Sequence, residues 1–498
     1  MLMLARPGPT AAGTARMDAP LTMSRRALSV KPVRVPVRSE GRAGTRPVDT
    51  WRKLRCTMKI RPTAAATLLV LLFLGGSLGG ASAPAAAAGT TYYVSEDGSD
   101  TNAGTAPGSA WGTLDKVNAA ALRPGDSVSF RRGDVYSGGL VIGRSGTSRL
   151  RITLNAFGSG QAPTITGGLM GTCVKLDGSY IAVDGLRAES CGYAGFSVYG
   201  NHASVRNSAA SNNAAGIKVS EGSDFGSYAN NTLAGNNIMN VNTQGSQCGT
   251  AKAVQCSDDS GAFGFLINGS DNEFTGNTVT GSTALSYDFG HDGGAFEVFN
   301  GNRNRIHHNV AVDNNVFSEI GRGGAGTADG NTYSYNLIRS TCGANCSQAM
   351  GLIARGRTSS FGPTNGTTFE HNTVWLDGPD SQAVVCHASC PASTVIRANI
   401  LVAVSNSLWM DSAGWTEEQN VLNGPTNIVP SATSTTDPAD FVDAPADLHL
   451  SGTSPAIDRA GAAPFPQDLD GQPAGRSGSC KGDATADSGT YEYRPSGC

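Results

Sequence analysis

The sequence predicts an all-β protein wound as a solenoid, with a short capping helix near the start of its folded part. Three observations carry this reading. A short unit recurs along the chain, the segments between its copies are brief runs rich in β-branched and aromatic residues, and turn residues separate those runs. The composition agrees, with 65 glycines and only 15% charged residues, a balance that suits a turn-rich β protein better than a helical one. The length of 498 residues does not force a split into domains, because a solenoid grows by adding coils to one long core.

In the recurring unit a β-branched or aromatic residue is followed three positions later by Asn. The copies are Tyr228/Asn231, Phe274/Asn277, Ile306/Asn309, Tyr333/Asn336, Phe369/Asn372 and Ile396/Asn399. The Asn residues are separated by 46, 32, 27, 36 and 27 positions, which predicts a coil of about 22–27 residues, doubled once and stretched by loops elsewhere. Runs such as Gly264-Phe265-Leu266-Ile267 and Phe296-Glu297-Val298-Phe299 between these units have strand length and strand composition, not helical periodicity. Asn suits the turn because it tolerates left-handed backbone angles and its amide can bond the same amide on the next coil, forming a ladder. Its role is therefore structural. Superimposing Asn268-Gly269 on Asn300-Gly301 places Phe265 over Glu297, Asp271 over Arg303 and Glu273 over Arg305.

Both ends read as caps, which a solenoid needs to cover its core and sheet edges. Thr113 to Leu122 reads as an amphipathic helix with Thr113 as N-cap and Leu114, Val117 and Ala121 on one face. The opening segment Tyr92-Tyr93-Val94-Ser95, Asp97-Gly98-Ser99-Asp100, Trp111 and Pro124-Gly125-Asp126 resembles the start of secreted parallel β-helix proteins of the pectate-lyase-like superfamily. The closing segment, Ser454-Pro455-Ala456-Ile457-Asp458, Asp468-Leu469-Asp470-Gly471 and Gly489-Thr490-Tyr491-Glu492, is similar to their ends, with Ser488 departing from the usual apolar residue. The resemblance implies a right-handed single-stranded parallel β-helix. The expected division is 89–135 as N-terminal cap, 136–424 as coils, and 425–498 as a Pro-, Ser- and Thr-rich loop with the C-terminal cap.

The chain ahead of residue 89 reads differently. The first 61 residues hold 14 basic residues against three acidic ones and no hydrophobic periodicity. From Met58 the order Lys59, Arg61, the apolar run Ala64 to Leu74, and then Ala81-Ser82-Ala83 is that of a secretory signal peptide. Residues 58–88 are therefore expected to be removed on export, with 1–57 lying upstream of the true start. The remainder carries 23 basic and 37 acidic residues, a net charge of −14. Such a surface repels phosphate backbones, so nucleic acid is excluded as a partner, and the apolar run is too short for a membrane span. The chain is expected to work as a monomer. Ten cysteines follow the signal, and in an exported protein an even number reads as disulfides; the expected pairs are 173/191, 248/256, 342/346, 386/390 and 480/498.

The densest cluster of ionisable residues runs from Asp288 to Arg322. Strand alternation puts Phe296 and Val298 in the core and Glu297 on the outer face, and successive coils stack Glu297, then Glu319 or Arg322, then Arg355. The loop before this strand adds Asp288, His291 and Asp292. The resemblance implies an extracellular polysaccharide as substrate and, by analogy with β-helix lyases, Ca²⁺ as cofactor. Hard oxygen donors suit that ion, so Asp288, Asp292 and Glu297 are the candidate ligands and Glu319, His291, Arg322 and Arg355 the candidate catalytic residues, with Arg322 or Arg355 as base. Arg303, Arg305, His307 and His308 are the candidate substrate-binding residues. Against that, the Asn ladder puts His308, Tyr335 and His371 in one column and His307, Ser334 and Glu370 in the next, as plain turn residues often are. The leading reading is a metal-assisted lyase acting on a uronic-acid-containing polysaccharide. The alternatives are an inverting glycoside hydrolase using paired carboxylates and a non-catalytic carbohydrate-binding or adhesive β-helix.

Overall fold

The computed structural model describes residues 89–168, 171–243, 258–287, 289–475 and 485–495. The expected signal peptide, Asp288 and the cysteine pairs 248/256 and 480/498 lie outside these residues. Among the described residues three long parallel sheets of 12, 11 and 10 strands account for most of the structure. Each coil gives one strand to each sheet in turn, as Arg305–His307, Val310–Val312 and Val316–Gly321 do before Thr332–Ser334 re-enters the first sheet. This is the right-handed single-stranded parallel β-helix expected from the repeat and the resemblance. No described helix is long and apolar enough to cross a membrane.

The Asn ladder forms as read from the sequence and extends one coil further, to Asn420. Each amide nitrogen donates to the next coil's oxygen, from Asn231 to Asn277 at 3.0 Å, Asn309 to Asn336 at 3.0 Å, Asn336 to Asn372 at 2.9 Å and Asn399 to Asn420 at 3.0 Å. The left-handed backbone, however, belongs to the residue before each ladder Asn, as at His308 (φ 54°), Tyr335 (φ 52°) and His371 (φ 51°). That residue turns the corner; the Asn follows it inward, where its amide finds buried carbonyls.

Two register expectations need correction. Asn231 bonds Asn277 directly, so the 46-residue interval is one coil carrying a long insertion, not two coils. The insertion includes the antiparallel pair Met239–Thr243 and Asp258–Gly261. Phe265 aligns with Phe296 and Leu266 with Glu297, one position away from the expected pairing, although Glu273 does align with Arg305. The offset between the two coils changes because the strand Gly294–Phe299 is one residue longer than Phe263–Ile267.

The core is a file of stacked rings and branched side chains. Phe265 lies parallel to Phe296 at 5.0 Å and Tyr228 to Phe274 at 4.8 Å, each such pair adding about 0.5–1.5 kcal/mol to simple burial. The capping helix is shorter than expected, spanning Leu114–Asn118, with Thr113 Oγ1 accepting from the Lys116 amide at 3.2 Å. The Asn118 side chain ties its end to the sheet edge, accepting from Val141 N at 2.8 Å and donating to Gly139 O at 2.9 Å. Leu114, Val117 and Leu122 are buried over the first coil and Ala121 is exposed. At the other end the closing segment folds back along the coils, with Thr490 Oγ1 donating to Asn336 O at 2.8 Å and accepting from Thr373 N. Disulfides join Cys173 to Cys191, Cys342 to Cys346 and Cys386 to Cys390.

Candidate active site

The third sheet carries the site on its outer face. Val298 aligns with Ile320, which sets Glu297 beside Glu319 on the next coil, about 4.8 Å away in backbone spacing. The register partner of Glu319 is Ile353. Arg355, two residues on and therefore on the same face, reaches back, so that its Nε donates to Glu319 Oε1 at 2.9 Å and its Nη2 donates to the same oxygen. One coil further His387 aligns with Arg355, and Arg355 Nη1 lies 2.8 Å from His387 Nε2. A guanidinium can only donate, so His387 Nε2 accepts.

The electrostatics separate these groups. Burial of its carboxyl pushes Glu297 well above the ordinary carboxyl value, the like charges of Glu319 and Asp292 push the same way, and Arg355 only partly opposes them. Glu297 thus favours its protonated form more than an ordinary carboxyl does, beside a carboxylate that is ion-paired with an arginine. Burial and the neighbouring Arg355 lower His387 below its usual range, keeping the imidazole neutral. Phe299 and Phe361, with ring centres 6.4 Å apart, border the face next to Gly321.

The expected site residues divide. Glu297, Glu319, Arg355 and Asp292 come together as one constellation. His291 is exposed on the short strand Gly290–Asp292, paired with Ala284–Ser286, and its carbonyl accepts from Asn315. Arg322 falls beyond the end of the strand Val316–Gly321, with Nη1 turned to Gly324 O at 3.1 Å, so the column holds Glu319 and not Arg322.

Arg303, Arg305, His307 and His308 belong to the first sheet and its turns, on another face of the helix from Glu297. Arg303 is held in a two-bond ion pair with Asp271 at 2.7 and 2.6 Å. Arg305 sits over the Phe465 ring at 5.3 Å. His307 stacks on Phe465 at 4.3 Å and meets Glu273 Oε1 at 3.1 Å; His308 donates from Nε2 to Gln467 O at 2.9 Å. Arg305, His307 and His308 pack against the closing segment through Phe465 and Gln467, and none of the four lies on the face that carries Glu297. The stacking expected from the ladder is present: His308 packs on Tyr335 and Tyr335 on His371, with His307, Ser334 and Glu370 in the adjacent column.

A divalent cation needs several converging oxygens. Among the described residues, the one group of three or more potential ligands whose atoms converge within 4.8 Å is Asp313 with Cys342 and Cys346, and both cysteines are spent in a disulfide. Asp292, Glu297 and Glu319 do not converge in this way, and the Oε1 of Glu319 is taken by Arg355. The third expected ligand, Asp288, lies outside the described residues. His387 is absent from the sequence expectation, although carrying the column one coil past Arg355, into the strand Gln382–His387 that contains Cys386, would have found it.

This architecture defines the class of protein by its fold: a right-handed parallel β-helix. No protein-family model matches the chain, and no curated protein does. Among solved structures, pectate lyase Pel9A superposes with a TM-score of 0.55 at 15% identity, over 82% of this chain and 97% of that one. An alginate lyase from Paenibacillus sp. str. FPU-7 gives 0.41 at 14% identity over 56% and 93% of the two chains. A GH136 lacto-N-biosidase from Eubacterium ramulus gives 0.37 at 15% over 61% and 67%. At this identity the likeness is one of fold.

Proposed function

We propose that this chain is an exported polysaccharide-degrading enzyme that cleaves a uronic-acid-containing chain by β-elimination on the outer face of its third sheet. The observation that carries the proposal is the Glu297–Glu319–Arg355–His387 constellation, in which a carboxyl shifted toward its protonated form, an arginine and an imidazole shifted toward its neutral form stand together. Elimination needs those three parts: a cation to neutralise the uronate carboxylate, a base for the adjacent carbon-bound proton, and an acid for the departing glycosidic oxygen. Arg355 turns toward the uronate carboxylate, His387 Nε2 takes the proton, the electron pair forms the new double bond, and Glu297 protonates the leaving oxygen. The three disulfides suit an oxidising, extracellular setting, and the lyase names among the similar structures point the same way.

A second reading is favoured by one observation, the position of Glu297 and Glu319 on adjacent coils. Two carboxyls about 5–5.5 Å apart suit a retaining glycosidase and wider pairs an inverting one. Incubating the exported protein with acidic and neutral polysaccharides tests both readings, following ultraviolet absorbance of unsaturated ends together with reducing ends. Elimination raises both signals, whereas hydrolysis raises reducing ends alone. No cleavage of any uronate-containing polymer defeats the proposal.

A further inference from the structure

The outer column that passes through Glu297 carries two lysines on its N-terminal side, after Val141. Lys175 aligns with Ser197, Ser197 with Lys218, Lys218 with Leu266 and Leu266 with Glu297. The described residues contain three lysines, and two of them stand in this column. Each ammonium is parked over an aromatic ring on the same face, Lys218 at 5.1 Å from the Tyr193 ring centre and Lys175 at 5.0 Å from that of Tyr199. Lys175 also meets Asp177 at 3.0 Å, in a contact that is 40% and 36% exposed, so water and ligand both reach it. Among the described residues Lys218 has no carboxylate partner within ion-pair distance.

Two coils separate Lys175 from Lys218, and two more separate Lys218 from Glu297, about 10 Å in each case at the usual inter-strand spacing. One coil is close to the length of one sugar in an extended glycan. In a twofold chain every second sugar presents its carboxylate to the same side. We infer that Lys218 and Lys175 are binding subsites for alternate uronate residues of the chain cut at Glu297, so that the glycan runs along the helix axis with its charged stretch toward the N-terminal coils. On the other side of Glu297 the column has no lysine: Glu319 is followed by the buried Ile353 and Val385 and the half-exposed Trp409, and this asymmetry gives the groove a direction. The inference rests on the proposed function for the substrate class and adds where and how the charge is read.

Substitution Lys→Met keeps the aliphatic stem and removes the charge. Lys218→Met and Lys175→Met are each expected to raise KM for polygalacturonate or alginate by roughly two- to fivefold, the range an exposed ion pair supports, with kcat unchanged. The effects should combine in the double variant, shrink on methyl-esterified polymer, and fade at high salt as screening sets in. Lys116→Met, in the capping helix, is the matched charge control. Affinity electrophoresis of the same lysine variants in a Glu297→Gln background reads binding without turnover. Cleavage of acidic polymer that is indifferent to both lysines overturns this inference and leaves the proposed function standing. Lysine-dependent retardation without cleavage supports the inference and defeats the proposed function. An unsubstituted protein that neither binds nor cuts either acidic polymer overturns both.

Discussion

Glu297→Gln is the decisive substitution because it keeps the shape of the protonated acid while removing its proton. The side chain lies beside Glu319 on the next coil, and its carboxyl is raised above the ordinary value of 4.5 by burial and by two like charges. If Glu297 delivers a proton to the departing oxygen, the variant should lose about 10²- to 10⁴-fold in kcat. Stability should move in the opposite direction. Below pH 4.5 folded and unfolded chains both hold this proton. Above it the unfolded chain releases the proton while folded Glu297 keeps it, so the unsubstituted protein loses stability as pH rises, by at most about 1.4 kcal/mol per pH unit from this group, until the raised pKa is passed. Glutamine has no proton to lose. Its melting temperature should therefore fall less steeply than that of the unsubstituted protein as pH rises above 4.5. The assay is paired thermal melting and turnover across pH, with Glu189→Gln as control on the second sheet, where Glu189 is ion-paired with Arg187. Full activity in Glu297→Gln, with melting curves that parallel the unsubstituted protein at every pH, would refute the reasoning.

Three further outcomes are expected. Activity should survive dialysis against a calcium chelator, because Arg355 supplies the positive charge; loss that calcium restores would return Asp288, Asp292 and Glu297 to a cation site. Asn336→Ala should cost roughly 2–4 kcal/mol in denaturant unfolding, because it strands the backbone and side-chain amides of Asn309, which bond Asn336 Oδ1 at 3.1 and 3.0 Å, and unsatisfied buried groups cost about 1–3 kcal/mol each. The closing segment should loosen as pH rises from the acid range to about 8. Burial raises Asp487 to about 6 and Glu492 to about 8, so their contribution is fully present below the unfolded values of 3.8 and 4.5 and is lost as pH rises through about 6 and about 8. Amide exchange at Gly489 to Tyr493 should accelerate over that window, and Glu492→Gln should remove its upper part.

The repeat fixed the solenoid because a coil that stacks on its neighbour must place the same turn chemistry at the same point each time. That is why Asn309, Asn336 and Asn372 were legible as a ladder, and why alternation alone put Glu297 outside and Phe296 and Val298 inside. Spacing along the chain could not say how many coils an interval holds, since a hairpin insertion and an extra coil both lengthen it; Asn231 bonding Asn277 decided that. It could not choose between Glu319 and Arg322, because a shift of one residue turns a side chain to the other face and only strand pairing fixes the register. Nor could it foresee that Arg355 would lean back two residues to Glu319 and bring His387 with it. The histidines show the limit most clearly. His307 and His308 look like site residues in one dimension, but the closing segment, 159 residues away at Gln467, folds over them and brings Phe465 onto their rings. Local sequence encodes periodicity and facing; which face stays open is set by long-range packing, which no window along the chain contains.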